Sequence, residues 1–285
     1  MSELGRRREF AAKLAEEAGR VTLRYFGTAL KVEDKADQSP VTIADRESEQ
    51  CIRAALAKSY PDDAILGEEF GERPGSSGWR WVVDPIDGTK SFIHGVPLYG
   101  VMIGLEGRDG PVVGAVALPP LGEVVSAACG EGCWWNGRPA RASVVSDLSK
   151  ACVAFTALET FDERGPDAVE AWVRVRRATR LQRGWGDCYG HILVATGRAD
   201  VMLDPVLNRW DCVALLPILE EAGGRFTDWW GRRSVDGASG ISTNGPLFEA
   251  VLREIHGPEW PRDAVQGPEA RRGRGATTEK ERREP

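Results

Sequence analysis

Along the first half of the chain the spacing of apolar side chains changes once, from a helical to an extended period. Phe10, Leu14, Ala18, Val21 and Tyr25 recur at three- and four-residue steps, which predicts an amphipathic helix closed by Gly27. A second helix is predicted from Thr42. Thr42 and Asp45 stand as N-cap and third helical residue ahead of Ile52 and Leu56, a Ser/Thr-x-x-acid capping pattern. Beyond it, Ala64 to Leu66, Trp79 to Val83, Leu98 to Leu105, Val112 to Leu118 and Glu123 to Ala128 are short alternating or β-branched runs punctuated by Gly and Pro. They read as strands. Two helices followed by adjacent strands predict an α+β half with a largely antiparallel sheet.

From about residue 150 the pattern alternates between strand and helix. Ala151 to Thr156, Arg180 to Gln182, Asp200 to Leu203, Arg225 to Asp228 and Ile241 to Thr243 read as strands. Asp167 to Arg177, Tyr189 to Thr196, Trp210 to Ala222 and Pro246 to Ile255 read as helices, an α/β half. Pro217 removes the bond to the Val213 carbonyl, so a kink is predicted in the third of these helices, which Gly223-Gly224 ends. Phe161 to Asp167 reads as a polar connection. The division is therefore an N-terminal lobe over 1–145 and a C-terminal lobe over 146–256, with the site between them. Residues 257–285 are strongly charged and almost without apolar side chains after Val265, and read as a disordered tail.

Composition narrows the class. The 285 residues are 42% hydrophobic and 28% charged, as in a soluble enzyme-sized chain. The longest uncharged apolar run, Val213 to Leu219, falls far short of the roughly 20 residues of a membrane helix. Arg6, Arg7 and Arg8 are followed by no apolar segment of the kind a secretory signal needs, which points to the cytoplasm. A net charge of −6 argues against general nucleic-acid binding. The six cysteines are scattered over a chain that needs no staples and read as reduced, mostly buried thiols. Cys129 and Cys133 have no second Cys or His pair to complete a zinc site.

The chemistry is concentrated in Trp81-Val82-Val83-Asp84-Pro85-Ile86-Asp87-Gly88-Thr89. An apolar strand running into Asp-Pro-x-Asp-Gly-Thr places two carboxylates at a strand end, where a turn lets both face a cleft. Mg²⁺ favours such oxygens, and the carbonyl of Ile86 could join Asp84 and Asp87. Gly88 and Thr89 would leave backbone N–H groups for a phosphate if a helix starts there, as Lys90 to His94 allows. Glu68-Glu69 follow another predicted strand, and Asp211 opens an apolar helix. Taken singly, Asp211 and Asp45 read as helix caps and Glu68 as surface charge; together they suggest a cluster.

Gly67-Glu68-Glu69, Asp84-Pro85-Ile86-Asp87-Gly88-Thr89 and Trp210-Asp211, ending in Glu221-Ala222-Gly223-Gly224, resemble the motifs of the inositol monophosphatase superfamily of Mg²⁺-dependent, lithium-sensitive phosphatases. The resemblance runs from about residue 8 to 256 and implies a layered α-β-α-β-α fold, usually a homodimer. It implies Glu68, Asp84, the carbonyl of Ile86, Asp87 and Asp211 as ligands of two or three Mg²⁺ ions. It further implies Thr89, paired with Asp45, as the group that activates the attacking water. Phosphate monoesters hydrolyse so slowly in water that strong charge neutralisation is required.

The segment Arg183-Gly184-Trp185-Gly186-Asp187-Cys188-Tyr189-Gly190-His191 resembles the histidinol-phosphate phosphatase branch of that superfamily. Histidinol phosphate carries an ammonium, so an extra carboxylate at Asp187 would favour it over neutral inositol. The resemblance implies Ile86, Asp87, Gly88, Thr89, Trp185, Gly186, Asp187, Asp204 and Asp211 on the substrate side. His191 reads as a packed residue, because this chemistry already has its base. Trp134-Trp135 and Trp229-Trp230 read as core, hairpin or subunit-contact residues. The alternatives are an inositol-1-phosphate or broad sugar-phosphate phosphatase and a 3′-phosphoadenosine phosphatase, for which the chain is short. A haloacid-dehalogenase-type enzyme spaces its aspartates differently. A non-catalytic phosphate or metal sensor on the same scaffold is the alternative from another class.

Overall fold

The computed structural model describes residues 1–35, 40–258 and 260; the predicted tail lies almost wholly outside the described residues. Helix α1 (Glu3–Leu23) begins ahead of the apolar repeat because Ser2 caps it, its hydroxyl accepting from the Gly5 N–H at 2.9 Å. A short β1–β2 hairpin (Glu33–Asp34, Pro40–Val41) leads into α2 (Ile43–Ser59), where Thr42 and Asp45 form the predicted capping box. Strands β3 (Ala64–Gly67), β4 (Gly71–Arg73) and β5 (Arg80–Asp87) follow, then the short helix α3 (Thr89–Ile93). Strands β6 (Gly100–Gly107), β7 (Gly110–Leu118), β8 (Glu123–Ala128), β9 (Gly132–Trp135) and β10 (Arg138–Pro139) complete the first half.

In the described residues these strands form an eight-stranded sheet in the order β10-β9-β8-β7-β6-β5-β3-β4. Only β3 and β5 pair in parallel, so the predicted antiparallel character is correct. Three of its strands went unpredicted. Strand β4 is a polar edge piece, and β9–β10 turn at Asn136-Gly137, both left-handed with φ of 47° and 75°. An Asn-Gly pair between Trp135 and Arg138 is a hairpin signal of the type I′ turn.

The second half runs β11 (Cys152–Phe155), α4 (Glu159–Arg164), α5 (Pro166–Ala178), β12 (Leu181–Arg183), α6 (Asp187–Ala195) and β13 (Val201–Asp204). It continues with α7 (Arg209–Val213), α8 (Leu215–Glu221), β14 (Arg225–Thr227), β15 (Gly240–Thr243) and α9 (Phe248–His256). The five-stranded sheet has the order β12-β11-β13-β15-β14. Its first three strands are parallel, as βαβ alternation requires. Strands β14 and β15 are joined without a helix and pair antiparallel, making the sheet mixed. The connection predicted over Phe161 to Asp167 instead contains most of α4 and the start of α5.

Layering follows from which face of each element is apolar. Ala11, Leu14, Ala15 and Ala18 of α1, with Ile52 and Leu56 of α2, cover one face of the large sheet. Helices α6, α7 and α8 fill the space between the sheets, and α4, α5 and α9 cover the outer face of the small one. The α-β-α-β-α sandwich is therefore present. All six thiols are free; Cys133, Cys188 and Cys212 are buried and the other three half-buried.

The kink predicted from Pro217 is the break between α7 and α8 at Ala214. That junction presses on β6 and β7 where Gly104 and Gly114 face each other across the ladder. A Cβ on Gly114 would lie 1.9 Å from the Ala214 carbonyl oxygen, and one on Gly104 2.6 Å from a Val213 methyl. The two bare positions form a hollow that seats the α7 helix. Gly114→Ala is expected to destabilise the protein by about 3 kcal/mol, because backbone must move to admit the methyl group. A chemical-denaturation midpoint close to that of the wild type would refute the close fit.

Candidate active site

The α7 seat matters because it carries Asp211 to the end of β5. Sequence reasoning placed Asp84 and Asp87 in a turn, but β5 continues to Asp87. The register against β6 slips by one residue between Asp84, opposite Met102, and Asp87, opposite Gly100. Pro85 has no N–H for the ladder, and a bulge accommodates it. The bulge is closed by Asp84, whose Oδ1 accepts the Ile86 N–H at 3.0 Å. Gly88, left-handed at φ +85°, then turns the chain into α3.

Asp84, Asp87 and Asp211 each bring a carboxylate oxygen within 4.8 Å of the others. Asp211 Oδ2 also accepts the Asn208 N–H at 2.7 Å, so its capping role and its place in the cluster coexist. Asp87 Oδ2 accepts a short hydrogen bond from the Cys188 N–H at the start of α6. Burial raises the Asp84 carboxyl well above its usual range, and the charges of Glu68, Asp87 and Asp211 add to this. Asp87 is pushed up to about 7 by burial and then by Asp211, against the lowering effect of Cys188. Asp211 reaches about 7 through burial, with the Asn208 bond opposing and Glu68 reinforcing the shift.

Glu68 stands beside this trio rather than within it. Its charge adds to the shift at Asp84, but its Oε1 is held by Lys35 Nζ at 2.7 Å. Lys35 also binds Glu69 Oε1 at 2.5 Å. Burial works against the Lys35 charge, yet the bonds to the two glutamates outweigh it and its pKa rises. Nothing in the sequence around Lys35 marks it.

The expected Thr89–Asp45 hydrogen bond is not formed. Thr89 Oγ1 donates to the Ile86 carbonyl at 2.9 Å, while Asp45 Oδ2 takes the N–H and hydroxyl of Thr42 at 2.8 and 2.7 Å. The capping box has claimed Asp45, and the first turn of α3 directs Thr89 back to the bulge. Burial raises the Asp45 pKa, and the Thr42 bonds oppose that rise.

On the other side of the cluster lies the start of α6. Asp187 adopts left-handed φ of 54°, unusual for any residue but glycine, and its Oδ2 is 3.5 Å from Ser91 Oγ. A Cβ on Gly88 would approach that same oxygen at 2.9 Å. Burial, then the Asp87 charge, raises Asp187 to about 7. Gly186 packs on Thr156, where a Cβ would fall 2.4 Å from its Cα. Thr156 Oγ1 accepts the Asp187 N–H at 3.0 Å and donates to Asp204 Oδ2 at 2.7 Å. Asp204 is 2% exposed and stands behind Thr156, a residue the sequence did not single out.

Trp185 is half-buried against the core between the sheets. His191 is packed, as predicted: its Nδ1 meets Ser242 Oγ at 2.7 Å and burial lowers its pKa to about 3, so it is neutral. Trp134 and Trp135 sit on the β9 hairpin strand, Trp229 is buried, and Trp230 is exposed against His256. Among the described residues no helix is long and apolar enough to cross a membrane.

Three oxygen donors this close, with carboxyl groups this hard to ionise, fit a hard divalent cation: mutual repulsion is relieved once positive charge enters. Layers and cluster, together with the relatives that follow, place the protein among metal-dependent phosphatases, the phosphoric monoester hydrolases. The chain matches the model of the inositol monophosphatase family over residues 3–257 and belongs to that family. It is 46% identical over 249 residues to a histidinol-phosphatase of Chlorobaculum parvum, covering 87% of this chain and 95% of that one. It is 37% identical to a histidinol-phosphatase of Mycobacterium tuberculosis, covering 86% and 96%. Among solved structures, an inositol monophosphatase from Zymomonas mobilis superposes with a TM-score of 0.79 at 32% identity, covering 90% and 99%.

The electrostatics set the direction of a pH effect. Asp87 and Asp211 are raised to about 7 in the fold from the ordinary aspartate value of 3.8, so the metal-free fold binds protons more tightly than the unfolded chain. Their favourable contribution is complete below about pH 4 and is lost as pH rises through about 7. Metal-free protein is expected to melt several degrees lower at pH 8 than at pH 5.5, with Mg²⁺ restoring most at the higher pH. Scanning calorimetry with and without Mg²⁺ checks this; a Mg²⁺ effect independent of pH would contradict it.

Proposed function

We propose that this protein is a Mg²⁺-dependent histidinol-phosphatase, converting L-histidinol phosphate and water to L-histidinol and phosphate. The observation that supports this substrate is Asp187: a carboxylate in a strained backbone conformation, beside Gly88 and Ser91 at the edge of the acidic cluster. Backbone strain retained at such a place is characteristic of functional sites. An ammonium on the alcohol portion gains a charge-assisted partner there, whereas a neutral polyol does not. The two histidinol-phosphatase relatives support the same reading.

Asp84, Asp87, Asp211, Glu68 and the Ile86 carbonyl would hold Mg²⁺. Bound there, it would neutralise ester charge and lower the pKa of a bound water. The amides of Gly88 and Thr89, where α3 begins, lack intrahelical acceptors and are suited to the phosphate oxygens. Thr89 donates its hydroxyl hydrogen bond to the Ile86 carbonyl, which leaves its oxygen lone pairs to accept from the attacking water. Asp45 is the carboxylate proposed to take the water proton directly, without passage through Thr89, on the oxygen that Thr42 does not hold. Water oxygen bonds to phosphorus as the phosphorus bond to the histidinol oxygen breaks; the leaving alkoxide takes a proton from solvent and Asp45 returns the water's proton to solvent, so histidinol and phosphate leave with no net proton change. Trp185, Gly186 and Asp187 would line the alcohol side, with Asp204 supporting them through Thr156. A homodimeric, cytoplasmic enzyme of histidine biosynthesis completes the proposal.

Purified protein with Mg²⁺ is expected to hydrolyse histidinol phosphate with a higher kcat/KM than inositol 1-phosphate or simple sugar phosphates, and to lose activity with a chelator. Asp187→Asn keeps a residue type that tolerates left-handed backbone and removes the charge. It should lower kcat/KM for histidinol phosphate about 10-fold or more, as for a lost charge-assisted bond, and spare inositol 1-phosphate. Equal losses on both esters would remove Asp187 as the selecting residue. Mg²⁺ binding without phosphate release from any ester would instead favour a sensor.

A further inference from the structure

Glu49 is a charged residue on the apolar face of α2, fully buried and one helical turn beyond Asp45. The substrate reading gives it no work. Its carboxylate lies under the turn that joins β3 to β4 and carries Glu68. Oε2 accepts the Glu69 N–H at 2.7 Å, and Oε1 accepts the Phe70 N–H at 3.3 Å. Arg53, one turn further along α2, donates Nε to Oε1 at 2.6 Å and Nη2 to the Gly71 carbonyl. The fit is closed from above: a Cβ on Gly67 would stand 2.0 Å from Glu49 Oε1, so only glycine admits the carboxylate there. Strand β4 is the sheet edge, so on that side the turn has no further strand to hold it.

We infer that Glu49 and Arg53 form a positioning pair that fixes Glu68 from behind, and so set the affinity of the acidic cluster for its cation. Two successive amides and one carbonyl of the Glu68 turn are tied to a rigid helix, and the same helix presents Asp45 from its first turn. A glutamine cannot replace Glu49 without cost, since its NH₂ would face a donor at one of the three N–H groups now satisfied. Partners behind a ligand commonly change metal affinity 10- to 100-fold when removed. The inference rests on Glu68 belonging to the cation site.

Calorimetric titration of the full chain with Mg²⁺ alone tests it, using wild type, Glu49→Gln, Glu68→Gln and the double variant. Glu49→Gln is expected to weaken Mg²⁺ binding about 10-fold. At saturating Mg²⁺, kcat and KM for a small phosphate ester should stay within about twofold, in keeping with a loss of metal affinity rather than of chemistry. The double variant should bind no more weakly than Glu68→Gln, because Glu49 acts through Glu68. Arg53→Lys, which leaves Glu49 in place and loses the fork to Gly71, should show a smaller shift of the same kind and covers the case in which Glu49→Gln does not fold. Unchanged Mg²⁺ affinity in the folded variants, or losses that add in full, would overturn the positioning role. Unchanged affinity in Glu68→Gln would remove Glu68 from the cation site, and the inference with it.

Discussion

Repulsion among carboxylates held together out of water is the constraint around which this molecule is arranged. Asp84, Asp87 and Asp211 resist ionisation in one another's company, and burial adds to the resistance. Such a group does not assemble by itself; the rest of the fold must force it. Three devices fix its members: the bulge for Asp84 and Asp87, the helix cap for Asp211, and the α6 amide at Cys188 again for Asp87. Every device supplies N–H donors that partly offset the charge, so the scaffold and the electrostatic compensation are the same hydrogen bonds.

The larger architecture serves that convergence. The bulge belongs to the eight-stranded sheet and Asp211 to the helical layer between the sheets, so the cluster exists only where the two meet. An ionic network supports the same junction: buried Glu106 on β6 binds half-buried Arg209 at the start of α7 and, through its other oxygen, half-buried Arg80 on β5 at 2.8 Å. With one carboxylate gripped from two elements, the network ties β5, β6 and α7 together at the level of the cluster.

Much of this was legible in the chain. Elements with a clean period appeared where expected, because an amphipathic face is written directly into residue spacing. Thr42 and Asp45 announced α2, and Pro217 announced the α7–α8 break. The Asp-Pro-Ile-Asp-Gly-Thr stretch pointed to the cluster because paired acids after an apolar strand have few other uses. What escaped is what depends on a third dimension. Gly104 and Gly114 look like any strand glycines until a helix is placed against them. Lys35, Thr156 and Glu49 bond to residues far away in sequence, though an acid on the apolar face of α2 was a readable signal at Glu49. Thr89 and Asp45 show the converse, since each satisfied a local partner that the sequence did contain.

The hollow made by Gly104 and Gly114 also orders events in time. Asp84 can take its place once the first sheet has formed, but Asp87 gains its α6 partner, and Asp211 arrives, only when the helical layer with the α7–α8 elbow has settled into its seat. A cation bound as proposed would therefore find its full set of oxygens only in chains whose two sheets have docked, and its binding would draw such chains out of the unfolded pool.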